Sequence, residues 1–290
     1  MRLANPDAVF DDRIANQALI QIEDLVLNAT NRPLTQFGMP SPDRSQLVTN
    51  NRMMIRETTY DREELAAVIE TRQGSLTAEQ SVAMETVLAS VHAEQGKFIF
   101  LDAPGNKYCY VILGIVCTIL VFKGGTGKTF LINLLLAKVR LEGHIALATA
   151  SSGIAATLLT GGRTAHSAFH LPLNLVVNET PICSIPKNGI EAELLRSTRL
   201  IVIDECSMLH KRAFEAIDRL LKDLRDTNLL FGGVTVLIAG DFRQCLPVVP
   251  SGTSADQLNA CLKASPLWAK VNVSLHSFDL FNCKLITNFV

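Results

Sequence analysis

The stretch FIFLDAPGNKYCYVILGIVCTILVFKGGTGKTF, residues 98–130, joins an apolar strand pattern to a glycine-rich turn that opens a helix. Glycines allow backbone N–H groups to approach phosphate oxygens, and a helix N-terminus favours their negative charge. In such a turn Lys128 reaches the β- and γ-phosphates, and the hydroxyl of Thr129 holds Mg²⁺. The segment GGTGKT therefore predicts a phosphate-binding loop at residues 124–129.

An apolar run lies inside this stretch, between FIFLD and GGTGKT. Residues 108–122 form 15 consecutive uncharged and mostly apolar residues. A helix needs about 20 such residues to cross a bilayer, and this run is shorter and rich in β-branched side chains, so we expect no membrane contact. The run also breaks the full pattern GxxxxGK[ST], whose first glycine would fall on Phe122. A plain glycine-rich turn is the alternative interpretation of GGTGKT taken alone.

Composition places the chain among soluble globular proteins and excludes several classes. Of the 290 residues, 48% are apolar and 19% are charged, and the net charge is −1. This balance gives no general attraction to nucleic acid, so any DNA contact requires a local groove. Seven scattered cysteines without a CxxC pair favour free thiols in a reducing compartment. The start, MRLANPDAVFDD, lacks the apolar segment of a secretory signal.

Strand and helix patterns alternate from Lys97 onward. Apolar strand patterns occur at KFIFLD, HIALATA, RLIVIDE and VTVLIAGD, and helical patterns occur at FLINLLLAKVRLEG, SGIAATLL and AFEAIDRLLKDLR. Apolar strands that alternate with helices are typical of a parallel sheet buried on both faces. We therefore predict an α/β fold with a mainly parallel sheet flanked by helices.

The residues before this region indicate a partly helical and loosely organised lead-in. One helical pattern covers Ala15–Leu27. Asp61, with Glu64 three residues later, has the spacing of a capping box and predicts a second helix. Thr77 is expected to cap a longer helix that reaches about Glu94. The face of this helix that we expect to be buried carries Val82, Val87, Leu88 and Val91.

The segment IVIDEC, residues 201–206, is an apolar strand pattern that ends in two carboxylates. In nucleotide sites such acids position the metal and the water, so Asp204 would hold Mg²⁺ and Glu205 would polarise the attacking water. Two solvated acids at a strand end are the alternative interpretation of this segment alone. Its position about 75 residues after GGTGKT favours the nucleotide motif.

A third strand pattern, within LIAGDFRQCLPVV at residues 237–249, also ends in polar residues. The carboxyl ends of parallel strands converge on the ligand, so Gln244 is a candidate sensor of the γ-phosphate. Asp241 and Arg243 would support Gln244, and a plain surface charge is an equal alternative for Arg243.

Residues 148–173 combine small hydroxyls, a helix N-terminus and an aromatic ring. Hydroxyls and backbone amides suit phosphodiester oxygens, and aromatic rings stack on bases. The candidate contacts to phosphodiester oxygens and bases are Ser151, Ser152, Arg163, Thr164, His166, Ser167 and Phe169. A core position is the alternative for Phe169, and a structural role is the alternative for His166. A metal site at His166 and His170 lacks a third ligand, and Pro172 disfavours a long helix there.

Six segments occur in the order that a known family has. They are LTAEQ, GGTGKT, ASSGIAA, GRTAHS, IDECSM and GDFRQCLPVV, and together they resemble the Pif family of superfamily-one, 5′-to-3′ DNA helicases. The segments NRPLTQFGMPSPDR, FEAIDRLLKDL and SPLW are similar to the Helitron-type helicase-like proteins. The resemblance covers residues 15–273 with one gap.

This resemblance implies a RecA-like P-loop NTPase domain at residues 76–273, after a lead-in at residues 1–75. It implies ATP and Mg²⁺ as cofactors and single-stranded DNA as the partner, with no obligate protein partner inferable. It also implies a nuclear location, with the mitochondrion as the alternative. The family's activity is ATP hydrolysis coupled to DNA translocation in repair, recombination, telomere maintenance or transposition.

The resemblance also assigns residues to roles. Gln80 of LTAEQ would read the adenine, and Thr129 and Asp204 would hold Mg²⁺. The other residues around the nucleotide would be Gly124, Gly125, Thr126, Gly127 and Lys128. Catalysis would depend on Lys128, Asp204, Glu205 and Gln244. The residues in contact with DNA would be Ser152, Gly153, Thr164, His166 and Phe169.

The sequence departs from the family pattern at the phosphate loop. The family reads from strand to GPGGTGKT without a break, whereas deletion of residues 106–124 would restore DAPGGTGKT here. Removal of these 19 codons would keep the reading frame, so we interpret residues 106–124 as a retained intron or a gene-model error. A correctly spliced transcript would support this hypothesis, and peptides from residues 108–122 in the mature protein would contradict it.

A second departure lies in residues 274–290. The family continues into an L-T-x-N-x-R element and a second motor domain, whereas LITNFV has Val290 in place of the arginine. We therefore expect a truncated and inactive fragment of an ATP-dependent DNA helicase. The alternatives are a non-catalytic remnant of a mobile element that at most binds single-stranded DNA, and a P-loop protein anchored at a membrane by the apolar run.

Overall fold

A seven-stranded sheet forms the centre of the computed structural model. The structure describes residues 34–42, 52–94, 96–102, 111–113, 117–121, 127–242 and 244–269, with isolated helical positions at 16, 19, 22, 23 and 26. The strands are β1 Phe98–Asp102, β2 Val111–Leu113, β3 Cys117–Val121, β4 Ile145–Ala150, β5 Arg163–Thr164, β6 Thr198–Asp204 and β7 Thr235–Gly240. Their spatial order is β2-β3-β1-β7-β6-β4-β5, and all neighbouring pairs are parallel except β2 and β3.

Helices lie before the sheet in the chain and between its strands. They are α1 Arg52–Thr58, α2 Arg62–Gln73, α3 Ala78–Ala93, α4 Lys128–Leu141, α5 Gly153–Thr157, α6 Ala165–Phe169, α7 Ile190–Ser197, α8 Lys211–Leu224, α9 Ser254–Ala260 and α10 Pro266–Ala269. Short 3₁₀ turns occur at Leu34–Phe37, Cys206–Met208, Leu230–Gly233 and Leu262–Ala264. Among the described residues, no helix has the length and apolar content that crossing a membrane requires.

Both faces of the sheet are covered, because successive strand residues point to opposite sides. Ile201 packs in the cluster that contains Phe214 of α8, and Val202 packs in the cluster that contains Leu135 of α4. These four side chains are fully buried, and each such burial contributes about 1.5–3 kcal/mol. The predicted α/β fold, with a mainly parallel sheet flanked by helices, is confirmed.

The strand and helix patterns predicted after Lys97 all form the expected elements. KFIFLD, HIALATA, RLIVIDE and VTVLIAGD become β1, β4, β6 and β7, and FLINLLLAKVRLEG, SGIAATLL and AFEAIDRLLKDLR become α4, α5 and α8. The strand residues are buried throughout β4 and β7, which explains why their patterns are continuously apolar rather than alternating.

The apolar run contributes two strands that the sequence patterns did not predict. Strand β2 pairs antiparallel with β3, and β3 pairs in parallel with β1 over five residues. In this register Val121, the last residue of β3, lies opposite Asp102, the last residue of β1. Strand β3 therefore ends at the same edge of the sheet as β1, one strand further out.

The lead-in is more closely packed than its sequence indicates. Asp61 caps α2 by accepting hydrogen bonds from the backbone N–H groups of Glu63 and Glu64, and α2 packs against α4. The Glu64 side chain does not complete a capping box in this helix. Of the helix predicted over Ala15–Leu27, the described positions are helical, and the others lie outside the described residues.

Helix α3 begins at a full capping box. Thr77 accepts from the backbone N–H of Gln80, whose side chain accepts from the backbone N–H of Thr77. The predicted cap and the burial of Val87 and Val91 are confirmed. The prediction for Val82 is wrong, since its side chain is 45% exposed.

Candidate functional site

The carboxyl ends of the parallel strands form one continuous edge. Asp102 pairs with Gly240, and Ala150 pairs with both Asp204 and Thr164. Strands β1 and β6 flank β7, and β4 lies on the outer side of β6. The residues predicted for nucleotide chemistry and those predicted for DNA contact therefore follow neighbouring strands at the same edge.

Helix α4 begins at Lys128, directly after the phosphate-loop glycines. Gly127 is the residue before the helix and has φ of +77°, a left-handed conformation that glycine adopts without a Cβ penalty. A Cβ at Gly127 would lie 3.6 Å from Nε2 of Gln80. The capping box of α3 thus holds the Gln80 amide beside the start of α4. Gly124, Gly125 and Thr126 lie outside the described residues.

Asp204 is the last residue of β6 and is 3% exposed. Burial raises the pKa of this carboxyl above its usual value, whereas a hydrogen bond from the Glu205 backbone N–H and the positive charge of Lys128 act to lower the pKa. The ammonium of Lys128 therefore acts on the carboxylate of Asp204 through space. These two residues, 76 positions apart in the chain, are brought together by α4 and β6.

A tight turn follows Asp204. Glu205 has φ of +50° and precedes the 3₁₀ turn Cys206–Met208. A Cβ at Gly240, the last residue of β7, would lie 3.1 Å from Sγ of Cys206 and 3.2 Å from the backbone N of Ser207. A side chain at position 240 would crowd this turn, so the turn packs closely against the end of β7.

The segment after β7 places Asp241 and Gln244 together. Gln244 Nε2 donates to Oδ2 of Asp241 over 3.1 Å, and the Gln244 backbone N–H donates to the Asp241 carbonyl over 3.1 Å. Asp241 is 5% exposed, whereas Gln244 is exposed. Asp241 thus orients the Gln244 amide, as the sequence predicted. Arg243 lies outside the described residues.

Ser152 and Thr164 cap the two short helices at the outer part of the edge. The Ser152 hydroxyl accepts from the backbone N–H of Ala155, and the Thr164 hydroxyl accepts from the backbone N–H of Ser167. Each hydroxyl proton can still be donated to a phosphodiester oxygen. Gly153 faces open space at the start of α5, since a Cβ there would have no neighbour within 4 Å.

Helix α6 contains the other two predicted DNA contacts. His166 is half-buried, and burial lowers its pKa, so the ring is uncharged at neutral pH and acts as a hydrogen-bonding group. Phe169 is 0% exposed and packs in the core cluster that includes Leu195. The prediction that Phe169 stacks on a base is therefore wrong in this structure, because its ring lies inside the domain.

Two hydroxyls at this edge are buried without a hydrogen-bond partner among the described residues, Ser151 Oγ and Ser207 Oγ. Ser151 follows β4 and its backbone N–H donates to the Asp204 carbonyl over 3.0 Å. Buried polar groups normally find a partner, so both hydroxyls are candidates for contact with a bound ligand or water. Ser151 is among the predicted contacts, whereas Ser207 was not predicted. The only sequence feature that marks Ser207 is its position shortly after the segment IDEC.

The oxygen groups near Lys128 fit a magnesium ion held mainly by a nucleotide. Within the described residues, no cluster of three or more His, Cys, Asp or Glu side chains could hold a metal. Mg²⁺ commonly uses one or two protein oxygens together with substrate phosphates and water. The buried carboxylate of Asp204 and the hydroxyl of Thr129 are oxygen groups of the chemical kind that Mg²⁺ accepts.

The parallel sheet, the glycine before α4 and the Lys128–Asp204 pair define a RecA-like P-loop domain. The family model described as PIF1-like helicase matches residues 75–282, which is more than half of the 290 residues. The chain belongs to the PIF1-like helicase family.

Individual relatives match over a shorter length. The ATP-dependent DNA helicase Pif1 of Psychrobacter sp. is 34% identical over 130 residues, which are 45% of this chain and 20% of that protein. The ATP-dependent DNA helicase PIF1 of Homo sapiens is 33% identical over 124 residues, which are 43% of this chain and 19% of that protein. The chain thus corresponds to about a fifth of these relatives' length.

Solved structures of Pif1 helicases are also similar. The crystal structure of Pif1 helicase from Candida albicans matches with a TM-score of 0.48 and 23% identity, over 70% of this chain and 38% of that chain. A structure of two coordinating Pif1 helicases at forked double-stranded DNA matches with a TM-score of 0.47 and 25% identity, over 67% and 41%. The closeness to Helitron-type proteins stays a prediction.

Proposed function

We propose that this chain is the first motor domain of an ATP-dependent DNA helicase that moves 5′-to-3′ along single-stranded DNA. The observation that carries the proposal is the arrangement of Lys128 at the start of α4 and the buried Asp204 at the end of β6, where the charge of Lys128 acts to lower the pKa of Asp204. A lysine at the start of a helix and a buried aspartate at a neighbouring strand end are the groups that a nucleotide triphosphate and its metal ion require.

In this proposal, each residue along the carboxyl edge of the sheet has a separate role. Lys128 neutralises phosphate charge, Thr129 and Asp204 hold Mg²⁺, and Glu205 orients the attacking water. Gln80, whose amide lies beside Gly127, reads the adenine. Gln244, oriented by Asp241, senses the γ-phosphate, while Ser152, Gly153, Thr164 and His166 contact the DNA backbone.

Single-turnover ATP hydrolysis, measured with and without single-stranded DNA, tests this function. In the version that lacks residues 106–124, we expect hydrolysis that DNA accelerates and that replacement of Lys128 by alanine abolishes, whereas the full chain should hydrolyse little ATP. DNA binding without hydrolysis by the shortened version at saturating ATP would reject the catalytic role. Imaging of the tagged chain tests its proposed location in the nucleus, with the mitochondrion as the alternative.

A non-catalytic role, limited to binding single-stranded DNA, is the second candidate. It is favoured by the two strands that separate β1 from the phosphate loop, because GGTGKT is then reached from β3 rather than from β1. We retain the hypothesis that residues 106–124 are a retained intron or a gene-model error. Sequencing of transcripts across codons 105–124 decides whether the mature protein contains them.

A further inference from the structure

Arg140 lies almost completely buried near the end of α4, with 1% of its side chain exposed. Nη1 donates to the carbonyl of Thr160 over 2.8 Å, and Nη2 donates to the carbonyl of Ala146 over 2.9 Å. Thr160 belongs to the loop 158–162 between α5 and β5, and Ala146 belongs to β4. One guanidinium thus ties this loop to the central sheet.

Two residues of the lead-in complete the surroundings of this guanidinium. Oε2 of Glu57, whose side chain is 2% exposed, lies 3.6 Å from Nη2 of Arg140. The hydroxyl of Tyr60 donates to the same Oε2 over 3.2 Å, and the Tyr60 ring lies 4.1 Å from Cζ of Arg140. Burial raises the pKa of Tyr60 to about 12, so the hydroxyl keeps its proton at neutral pH.

Loop 158–162 is also fitted closely to these groups. Gly161 has φ of +73°, and a Cβ there would collide with the Tyr60 hydroxyl and lie 3.3 Å from Nη2 of Arg140. Asn133, two turns before Arg140 on the same face of α4, donates to the Leu158 carbonyl over 3.0 Å and accepts from the Thr160 backbone N–H over 2.9 Å. Helix α4 therefore holds the loop at Leu158 and at Thr160.

This loop connects the two segments that the proposed function assigns to DNA. Helix α5, capped by Ser152, precedes the loop, and β5, which ends at Thr164, follows it. Helix α4, which holds the loop, starts at Lys128 of the phosphate loop. A shift of the loop would therefore move the DNA-contacting hydroxyls relative to the nucleotide site.

We propose that Glu57, Tyr60 and Arg140 form a bracket of positioning residues that holds loop 158–162 and thereby sets Ser152 and Thr164 for contact with single-stranded DNA. The inference rests on the proposed function. Glu57 and Tyr60 lie outside residues 75–282, which the family model matches, so residues that position the DNA-contacting hydroxyls extend beyond that matched region.

The test compares Glu57→Gln with Glu70→Gln, the same substitution at an exposed position of α2. Fluorescence anisotropy with a labelled oligothymidine measures DNA affinity, and a fluorescent ATP analogue measures nucleotide affinity. We expect Glu57→Gln to raise the Kd for DNA about five- to thirtyfold, the effect of a small loss of interaction free energy. The Kd for the nucleotide should change less than about twofold, and Glu70→Gln should change neither.

Hydrogen exchange separates positioning from general destabilisation. In Glu57→Gln, the backbone amides of residues 158–164 should exchange faster while those of β6 keep their protection. Equal loss of protection in both segments would overturn the proposal. The double variant Glu57→Gln/Arg140→Met removes both charges of the Glu57–Arg140 pair, which can restore stability, while Arg163, whose Nη2 lies 4.0 Å from Oε1 of Glu57, keeps its charge. It should still bind DNA weakly, and recovery of wild-type DNA affinity would also overturn the proposal.

The unmodified chain provides the reference for both proposals. If it binds no single-stranded DNA, the proposed function fails, and the positioning role fails with it. If it binds DNA and Glu57→Gln binds equally well, only the bracket's role is rejected. Tyr60→Phe removes one hydroxyl and keeps the ring on Arg140, so it should give a smaller change in the same direction.

Discussion

The backbone N–H of Glu205 donates a hydrogen bond to Oδ1 of Asp204 over 2.9 Å. The left-handed backbone of Glu205, with φ of +50°, turns the chain sharply at this point. As a result, two consecutive carboxylates occupy different surroundings. Asp204 is 3% exposed, and the positive charge of Lys128 acts to lower its pKa, whereas Glu205 is only half-buried. Such a difference suits a buried metal ligand next to a water-orienting base.

In the version that lacks residues 106–124, replacement of Glu205 by glutamine should remove hydrolysis and keep nucleotide binding. Loss of a positioned general base costs about 10²–10⁴-fold in rate, while the phosphate contacts of Lys128 remain. Single-turnover hydrolysis and nucleotide titration measure the two effects separately. Glu179→Gln, at an exposed position, is the matched control. An unchanged hydrolysis rate in Glu205→Gln would exclude Glu205 as the base.

Replacement of Asp204 by asparagine should stabilise the nucleotide-free protein at neutral pH. The folded-state pKa of Asp204 is raised by burial, so the folded state binds this proton more tightly than the unfolded state does. Stability from this group is therefore lost as pH rises from the unfolded pKa through the folded pKa. Asparagine has no such charge to bury, and it can still accept from the Glu205 N–H.

Thermal unfolding at several pH values measures this effect. Asp256 provides the opposite case, because hydrogen bonds from Thr253 lower its pKa. Its contribution is present above the unfolded pKa and is lost as pH falls through the folded pKa. A lower Tm for Asp204→Asn than for the unmodified chain at neutral pH would contradict the proposed burial penalty.

Alanine at Gly161 should destabilise the protein more than alanine at Gly143. Both glycines have a left-handed backbone, with φ of +73° and +83°, so both substitutions cost about 1–2 kcal/mol. A Cβ at Gly143 has no neighbour within 4 Å, whereas one at Gly161 meets Tyr60 and Arg140. This crowding should add about 1–3 kcal/mol. Urea unfolding measures the free energy of unfolding of both variants. Equal losses would show that loop 158–162 can shift to accommodate the added Cβ without further loss of stability.

Deletion of residues 106–124 should strengthen ATP binding. The deleted version would join β1 directly to GTGKT, whereas the full chain reaches this segment from β3, one strand away. Neighbouring strands are about 4.8 Å apart, a displacement larger than phosphate contacts tolerate. Titration with a fluorescent ATP analogue measures both versions, after circular dichroism has shown that each is folded.

Lys128 provides the control for this comparison. Lys128→Ala should abolish binding in the deleted version and have little left to remove in the full chain, while Lys138→Ala, further along α4, should be neutral in both. Equally tight binding by both versions would mean that β3 delivers the phosphate loop as effectively as β1. That outcome is physically reasonable because Val121 and Asp102 are paired at the same edge of the sheet, so β3 and β1 end at the same level.

Much of the site was predictable because its signals are local. Lys128 begins a helix, Asp204 ends a strand and Asp241 follows a strand. The direction of parallel strands places such residues at one edge. The two strands of the apolar run were not predictable, because a short apolar sequence has no periodicity that distinguishes an added sheet edge from other buried forms. The burial of Phe169 was likewise undecided, since an aromatic ring suits a core and a base equally well.

The α/β alternation, the helix caps at Asp61 and Thr77, and the order of the nucleotide motifs follow from the amino-acid sequence. These properties depend on side-chain periodicity and on hydrogen bonds between residues near in the chain. The contact of Glu57 with Arg140 across 83 positions, and the alignment of Val121 with Asp102, follow from packing in three dimensions. Contacts of this kind depend on how elements pack in space, and no local pattern of residues specifies that packing.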